Sequence, residues 1–179
     1  VATMTAGLSY YFEGEWKQGF ELFERAEQIL RRQCTGVRPE IINDLLYSLR
    51  CQVYLGRLRD ACTRLPSLIA EAEERADLYA STYFRLRFAY LTDLAEDAAP
   101  RALVNVENAL SNWSHRCYHV QHYLELFARG EIALYANGGA AAWQQIAASL
   151  VPVRRSHVFR IQHFRIESEH LRGRAALAA

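Results

Sequence analysis

Apolar residues recur at helical spacing along the chain, with polar residues between them. In the segment 16–33 the apolar members lie three or four residues apart and include Leu22, Phe23, Ala26, Ile29 and Leu30. This spacing places them on one stripe of an amphipathic helix and leaves the charged residues on the opposite side. Since no segment shows the alternation expected of a half-buried strand, the pattern predicts an all-α fold.

Turn residues divide this helical pattern into pairs of helices. Gly14 and Gly56 stand where a first helix must stop, because glycine reaches left-handed backbone angles without steric cost. Asp97 with Pro100, and the run Asn137-Gly138-Gly139, interrupt the pattern further along the chain. We therefore predict four helical hairpins and a last helix, over about residues 1–34, 38–75, 77–113, 117–151 and 155–179.

Two prolines and two glycines predict details of these helices. Pro66 lies inside the apolar stripe of the fourth helix, where its missing hydrogen bond predicts a kink or break. Pro152 is expected to end the second helix of the fourth hairpin. Gly7 and Gly19 are expected to face each other across the first hairpin, so that the two backbones approach closely.

Small residues recur at equivalent places in the second helices of the hairpins. They are Gly19, Ala61, Ala102 and Ala142, with separations of 42, 41 and 40 residues. A period of this size with two helices per unit is typical of a helical repeat protein, because one hairpin cannot bury its apolar stripe alone. The predicted architecture is an α-α superhelix (solenoid), with an inner groove lined by the first helix of each pair.

The first hairpin carries a pattern of small and large residues that identifies a family resemblance. Its members are Gly7, Tyr10, Gly14, Trp16, Gly19, Phe23 and Ala26. This pattern resembles the tetratricopeptide repeat, and Gly56 with Ala61 and Ala102 with Ala109 carry weaker versions of it. The units here are longer than the usual 34 residues, so we interpret them as divergent tetratricopeptide-like repeats.

A second resemblance, to a more specific group of proteins, is carried by residues 32–37, 54–56, 112–116, 121–123 and 172–177. They are similar to the C-terminal helical region of large bacterial serine/threonine protein kinases. The resemblance implies that residues 1–179 form one regulatory domain, a piece of a longer signalling chain. The kinase chemistry itself is not predicted here, because the sequence has no glycine-rich nucleotide loop, no His-Arg-Asp and no Asp-Phe-Gly.

Composition narrows the classes of function. With 179 residues, 51% hydrophobic and 23% charged, the chain is predicted to be a soluble globular domain. A net charge of +1 and no run of 18 apolar residues argue against nucleic acid and membrane as partners. The four cysteines show no paired spacing, which is typical of reduced thiols in a cytoplasmic protein.

The candidate chemistry favours a domain that is not an enzyme and holds no metal or cofactor. His115, His119 and His122 have spacings that could bring three imidazoles towards a metal, but we interpret them as structural. We interpret the basic last helix as a solvated or docking surface, and the carboxylates near turns as helix caps. The basic residues are Arg154, Arg155, Arg160, Arg165, Arg172 and Arg174.

The repeat geometry predicts which residues bind a partner. The inner faces of the first helices are expected to display Tyr11, Asn43, Arg50, Tyr54, Arg87, Glu131 and Tyr135. Arginine and tyrosine are favoured anchors at interfaces, and Asn43 with Arg50 and Arg87 resembles a carboxylate clamp of tetratricopeptide domains.

Two functions follow from this interpretation. The first is a non-catalytic scaffold that binds a protein or peptide in the groove, with the kinase domain of its own chain as one candidate partner. The alternative is a regulatory domain that senses a small molecule between hairpins, for which a closed pocket around Tyr83, Phe84, Tyr123 and Phe127 would be evidence.

Overall fold

The computed structural model describes residues 1–136 and 138–179, and throughout these residues regular structure is helical, with no strand. The all-α prediction is confirmed. Asn137 of the predicted stop signal lies outside the described residues. The helices are α1 (Ala2–Glu13), α2 (Trp16–Gln33), α3 (Arg38–Tyr54), α4 (Leu58–Glu74), α5 (Leu78–Phe84), α6 (Tyr90–Ala95), α7 (Ala99–Leu110), α8 (Val120–Tyr135), α9 (Gly139–Arg155) and α10 (Gln162–Ala178).

Two short segments of other helical types complete the secondary structure. A π-helical turn, Arg85–Ala89, joins α5 to α6, and a 3-10 turn, His157–Arg160, separates α9 from α10. The last helix therefore begins at Gln162 rather than near 155. Ser156 favours this break, because its side-chain oxygen accepts a hydrogen bond of 3.2 Å from the backbone N–H of Val158.

Both prolines lie inside helices that continue past them. Pro66 lies inside α4, which runs from Leu58 to Glu74 as one helix, and Pro152 lies inside α9, which continues to Arg155. The expected end at Pro152 is therefore wrong, and the helix does not break at Pro66, whereas a kink at Pro66 stays a prediction. Both prolines are exposed, so water can solvate the carbonyl groups that lose their hydrogen bonds.

The contacts divide the chain into an N-terminal unit, Val1–Pro66, and a C-terminal unit, Ser67–Ala179. In the N-terminal unit α1, α2 and α3 pack against one another around Phe23, Leu45 and Leu49, which are fully or almost fully buried. The predicted approach of Gly7 and Gly19 is confirmed. A Cβ on Gly19 would lie 3.3 Å from the carbonyl oxygen of Gly7, so a larger residue would force α1 and α2 apart.

In the C-terminal unit, α8 is the central helix. It packs against α7, α9 and α10, and also against α5, the π-helical turn and α6. The buried side chains include Phe84, Tyr123, Ile146 and Leu171. These neighbours bring residues of three separate segments, the π-helical turn, α8 and α10, to one place.

Candidate functional site

Four aromatic side chains and one arginine from α1 and α3 form the first candidate site, here called the aromatic face. It consists of Tyr11, Phe12, Tyr47, Arg50 and Tyr54. The Tyr11 and Tyr47 rings meet edge to face with centroids 5.0 Å apart, and the Tyr11 and Phe12 centroids are 5.2 Å apart. Phe12 is 57% exposed and Tyr54 is 39% exposed, so the aromatic face offers apolar area to solvent.

The base of the aromatic face holds a buried cation. The guanidinium carbon of Arg50 lies 5.3 Å from the Tyr11 ring centroid and 5.7 Å from that of Tyr47. Arg50 is only 3% exposed, and cations at this distance are attracted to the negative face of an aromatic ring. The arrangement fixes both tyrosines relative to each other.

Four side chains of α3 share the stripe that contributes to this face. Asn43, Tyr47, Arg50 and Tyr54 follow one another at spacings of four, three and four residues. Asn43 is exposed, whereas Arg50 is buried. The structure thus brings Tyr11, Arg50 and Tyr54 together, but it does not present Arg50 to solvent as the sequence led us to expect.

The second candidate site is a buried ion pair in the C-terminal unit. Arg87, on the π-helical turn, donates a hydrogen bond of 2.5 Å to Glu167 Oε1 on α10. Its guanidinium carbon lies 4.6 Å from the Phe127 centroid, and the hydroxyl of Tyr123 lies 3.3 Å from Glu167 Oε2. Arg87 is 7% exposed, so it is buried and does not line an open groove as the sequence led us to expect. Its position instead connects three segments of the fold.

The other predicted residues of this unit have intramolecular partners as well. Arg174 donates a hydrogen bond of 2.6 Å to Glu131, and the hydroxyl of Tyr135 donates one of 2.9 Å to Asp97. The hydrogen bond to Asp97 raises the pKa of Tyr135. Arg87 is therefore part of the packing between helices, whereas Tyr135 is 45% exposed, and a clamp for a carboxylate would need an accessible guanidinium.

The aromatic residues that would line a closed pocket are packed against their own chain. Tyr83 and Phe84 are buried, and the Tyr123 ring is fully buried with its centroid 4.7 Å from that of Phe164. The Tyr123 hydroxyl also lies 3.2 Å from the backbone oxygen of Phe164, to which it donates. Side chains of α10 thus fill the space beside Tyr123.

A buried carboxyl group, that of Asp44 on α3, is influenced by charged residues of α2 and α4 in the N-terminal unit. Asp44 is completely buried, and neither of its carboxyl oxygens has a hydrogen-bond partner. Burial, and then the charges of Glu27 and Glu24, raises its pKa to about 8, against the opposing effect of Arg64. Arg64 itself pairs with Glu24 at 2.6 Å and with Glu27.

The three histidines lie close together before and within the first turn of α8. The ring centroids of His115 and His122 are 5.3 Å apart, and those of His119 and His122 are 5.6 Å apart. Within residues 1–136 and 138–179 no group of three histidine, cysteine or acidic side chains is arranged to hold a metal ion. The same residues include no helix with the length and apolar character needed to cross a bilayer.

Comparison with known proteins identified no relative of this chain. No family model, no curated protein and no solved structure matches the chain. The resemblance to tetratricopeptide repeats and to kinase C-terminal regions therefore stays a prediction from the sequence.

Sequence reasoning missed several members of these sites. Tyr47 could have been found, because it lies between Asn43 and Arg50 at helical spacing. Nothing in the sequence pattern indicated that Glu167 pairs with Arg87, because 80 residues separate the two. Likewise nothing local marks Asp44 as buried, since α3 packs against other segments of the chain, α2 among them.

Proposed function

We propose that this protein is a non-catalytic binding module that recognises a peptide segment of a partner protein on its aromatic face. The observation that carries the proposal is the pair of exposed rings, Phe12 and Tyr54, next to the buried cation of Arg50. Exposed aromatic residues beside a rigid base are typical anchors of protein interfaces, because they bury a large area at a small cost in side-chain entropy.

The chemistry of the face favours an apolar or aromatic side chain on the peptide. Phe12, Tyr47 and Tyr54 supply ring surfaces, and Asn43, further along the same stripe, has an exposed amide that can both donate to and accept from a peptide backbone. Arg50 acts as a positioning residue, since its guanidinium holds Tyr11 and Tyr47 in place. The kinase domain of the parent chain, implied by the sequence resemblance, is one candidate source of such a peptide.

A peptide library displayed on phage tests this function. Selected peptides are synthesised, and their dissociation constants are measured by fluorescence anisotropy with the wild-type chain and with a Phe12→Ala/Tyr54→Ala variant. Two lost anchors are expected to weaken binding on the order of tenfold or more. We expect the enriched peptides to share an apolar or aromatic position.

The matched control removes two exposed apolar residues elsewhere. Leu78 and Tyr79 are 46% and 43% exposed and belong to the C-terminal unit. A Leu78→Ala/Tyr79→Ala variant should bind within about twofold of the wild type. Failure to enrich any peptide, or equal loss in both variants, would overturn the proposal.

A further inference from the structure

Hydrogen bonds at the start of α8 define the protonation state of two histidines. The indole N–H of Trp113 donates to Nδ1 of His119 at 3.0 Å, and the backbone N–H of His119 donates to Nδ1 of His122 at 2.9 Å. An indole N–H and a backbone N–H can only donate, so both Nδ1 atoms must carry a lone pair. Each ring is therefore neutral, with its hydrogen on Nε2.

The bond from Trp113 holds the start of α8 to the segment before it, and the bond between His119 and His122 closes the first turn of α8. His119 is the N-cap residue of α8, and His122 lies three residues later, where a side-chain acceptor reaches back to the N-cap N–H. Trp113 follows the end of α7, so its bond to His119 fixes the connection between α7 and α8. A proton on either Nδ1 would remove the acceptor and break the corresponding bond.

The surroundings oppose a positive charge here. His115 lies beside His122, and the positive end of the helix dipole points towards the same place. Glu125 is the neighbouring carboxylate, and it pairs with Arg129 at 3.0 Å. Burial, followed by the charges of His115 and His119, lowers the pKa of His122 below its usual 6.5.

The remaining neighbours do not supply a compensating charge. A cleft of about 380 Å³ separates α8 from α9 beside His122, and α9 lines it with Gln145, Ser149 and Pro152, none of which titrates. Tyr118 also lines this cleft, and its pKa is raised by burial, so it stays neutral.

We propose that His119 and His122 form a proton-sensitive helix cap, which is closed while both Nδ1 atoms accept their hydrogen bonds and opens when Nδ1 of His122 takes up a proton in mild acid. A proton on Nδ1 of His122 breaks the bond from the backbone N–H of His119, and the charged ring is repelled by the positive end of the helix dipole. The connection between α7 and α8 and the first turn of α8 then loosen, while the rest of the fold is retained.

Nuclear magnetic resonance of the wild-type chain tests the cap without any variant. The ring nitrogen shifts at pH 7.5 should show the Nε2–H tautomer for both histidines. Between pH 7.5 and pH 5 the hydrogen-exchange protection of the Trp113 indole and of the first-turn amides should fall by about tenfold or more, after correction for intrinsic exchange. An Nδ1–H tautomer, or unchanged protection at pH 5, would overturn the proposal.

A double variant identifies the responsible groups. In His119→Asn/His122→Asn the amide oxygen takes the place of Nδ1 as acceptor and does not titrate, so protection should stay constant over the same range. The control is His170→Asn, at an exposed position on α10, which should lose protection in acid as the wild type does. An acid-induced loss in the double variant equal to that of the wild type would assign the effect to other groups.

Discussion

At the scale of single residues, Asp44 has the most unusual environment in the N-terminal unit. Its carboxyl group is fully buried and unpaired, with two glutamates among the groups acting on it. A buried charge without a partner costs several kcal/mol, so the group keeps its proton at neutral pH. The folded state therefore holds a proton that the unfolded chain releases.

This environment predicts how stability depends on pH. The pKa of Asp44 is about 8 in the folded state and near 3.8 without the fold, so its contribution to the free energy of unfolding decreases as pH rises between these values. An Asp44→Asn variant should be more stable than the wild type at pH 8, by on the order of a few kcal/mol, with a smaller difference at pH 5. Urea unfolding at the two pH values measures this.

The control for Asp44 is an exposed aspartate in the same unit. Asp60 is exposed on α4, and Asp60→Asn should follow the pH dependence of the wild type. If the stability difference between Asp44→Asn and the wild type is the same at pH 5 and pH 8, then Asp44 does not retain its proton in the folded state.

Residue exposure is also the property that the sequence predicted least well. Arg50 and Arg87 lie at the expected positions in the helical pattern, yet both are buried. Helical spacing gives the direction in which a side chain points but not what covers it. The groups that shield Arg50 from solvent include aromatic rings of α1 and α3. Those that shield Arg87 include Phe127 and Glu167, which are distant from it in sequence.

At the scale of secondary-structure elements, the pair of Arg87 and Glu167 connects helices that are far apart along the chain. It joins the π-helical turn to α10, with Phe127 and Tyr123 of α8 between them. Removing one partner of such a buried pair leaves the other charge without compensation, whereas replacing both by apolar residues removes the cost of burying either.

A double-mutant cycle tests this role. Arg87→Met and Glu167→Met should each destabilise the protein by about 3–5 kcal/mol, and the double variant should recover most of that loss. The free energies come from guanidinium unfolding monitored by circular dichroism. Additive effects of the two substitutions would show that the pair is not coupled.

A more exposed ion pair between α8 and α10 provides the comparison. Arg174 and Glu131 are 2.6 Å apart, and the Arg174 side chain is 43% exposed. Arg174→Met should cost less than about 1 kcal/mol, because exposed pairs are solvated and screened. A loss of stability similar to that of Arg87→Met would contradict the expectation that the buried pair contributes more than the exposed one.

At the scale of the whole molecule, the helices follow from the pattern of apolar residues and turn glycines. Gly14 and Gly56 adopt positive φ angles of 84° and 71° at the ends of α1 and α3, as their positions predicted. A helix end at Pro152 and a break at Pro66 were predicted wrongly, because the cost of a proline inside a helix depends on solvent access to the carbonyl groups of the preceding turn. The superhelix remains a prediction, since it concerns the relation between repeats rather than the helices themselves.

The arrangement of contacts within each unit predicts fast folding. In the N-terminal unit α1, α2 and α3 pack on one another, and in the C-terminal unit α7, α8, α9 and α10 each pack on the next helix. Chains dominated by contacts between neighbouring segments fold in microseconds to milliseconds. Double-jump refolding, which keeps the prolines in their native isomers, should show a main phase of about milliseconds in tryptophan fluorescence. A main phase of seconds would contradict this expectation.

The π-helical turn between α5 and α6 affects how this chain can be aligned with itself. A turn with hydrogen bonds five residues apart takes up one residue more than an α-helical turn does, and one residue corresponds to about 100° of rotation. The side chains of α6 are therefore rotated about the helix relative to the positions that the period of α5 would give them. Tyr90 and Asp93 are buried in this shifted phase. An alignment of repeats that assumes a constant helical period is therefore out of register after Ala89. The register must be reset at that residue before equivalent positions are compared.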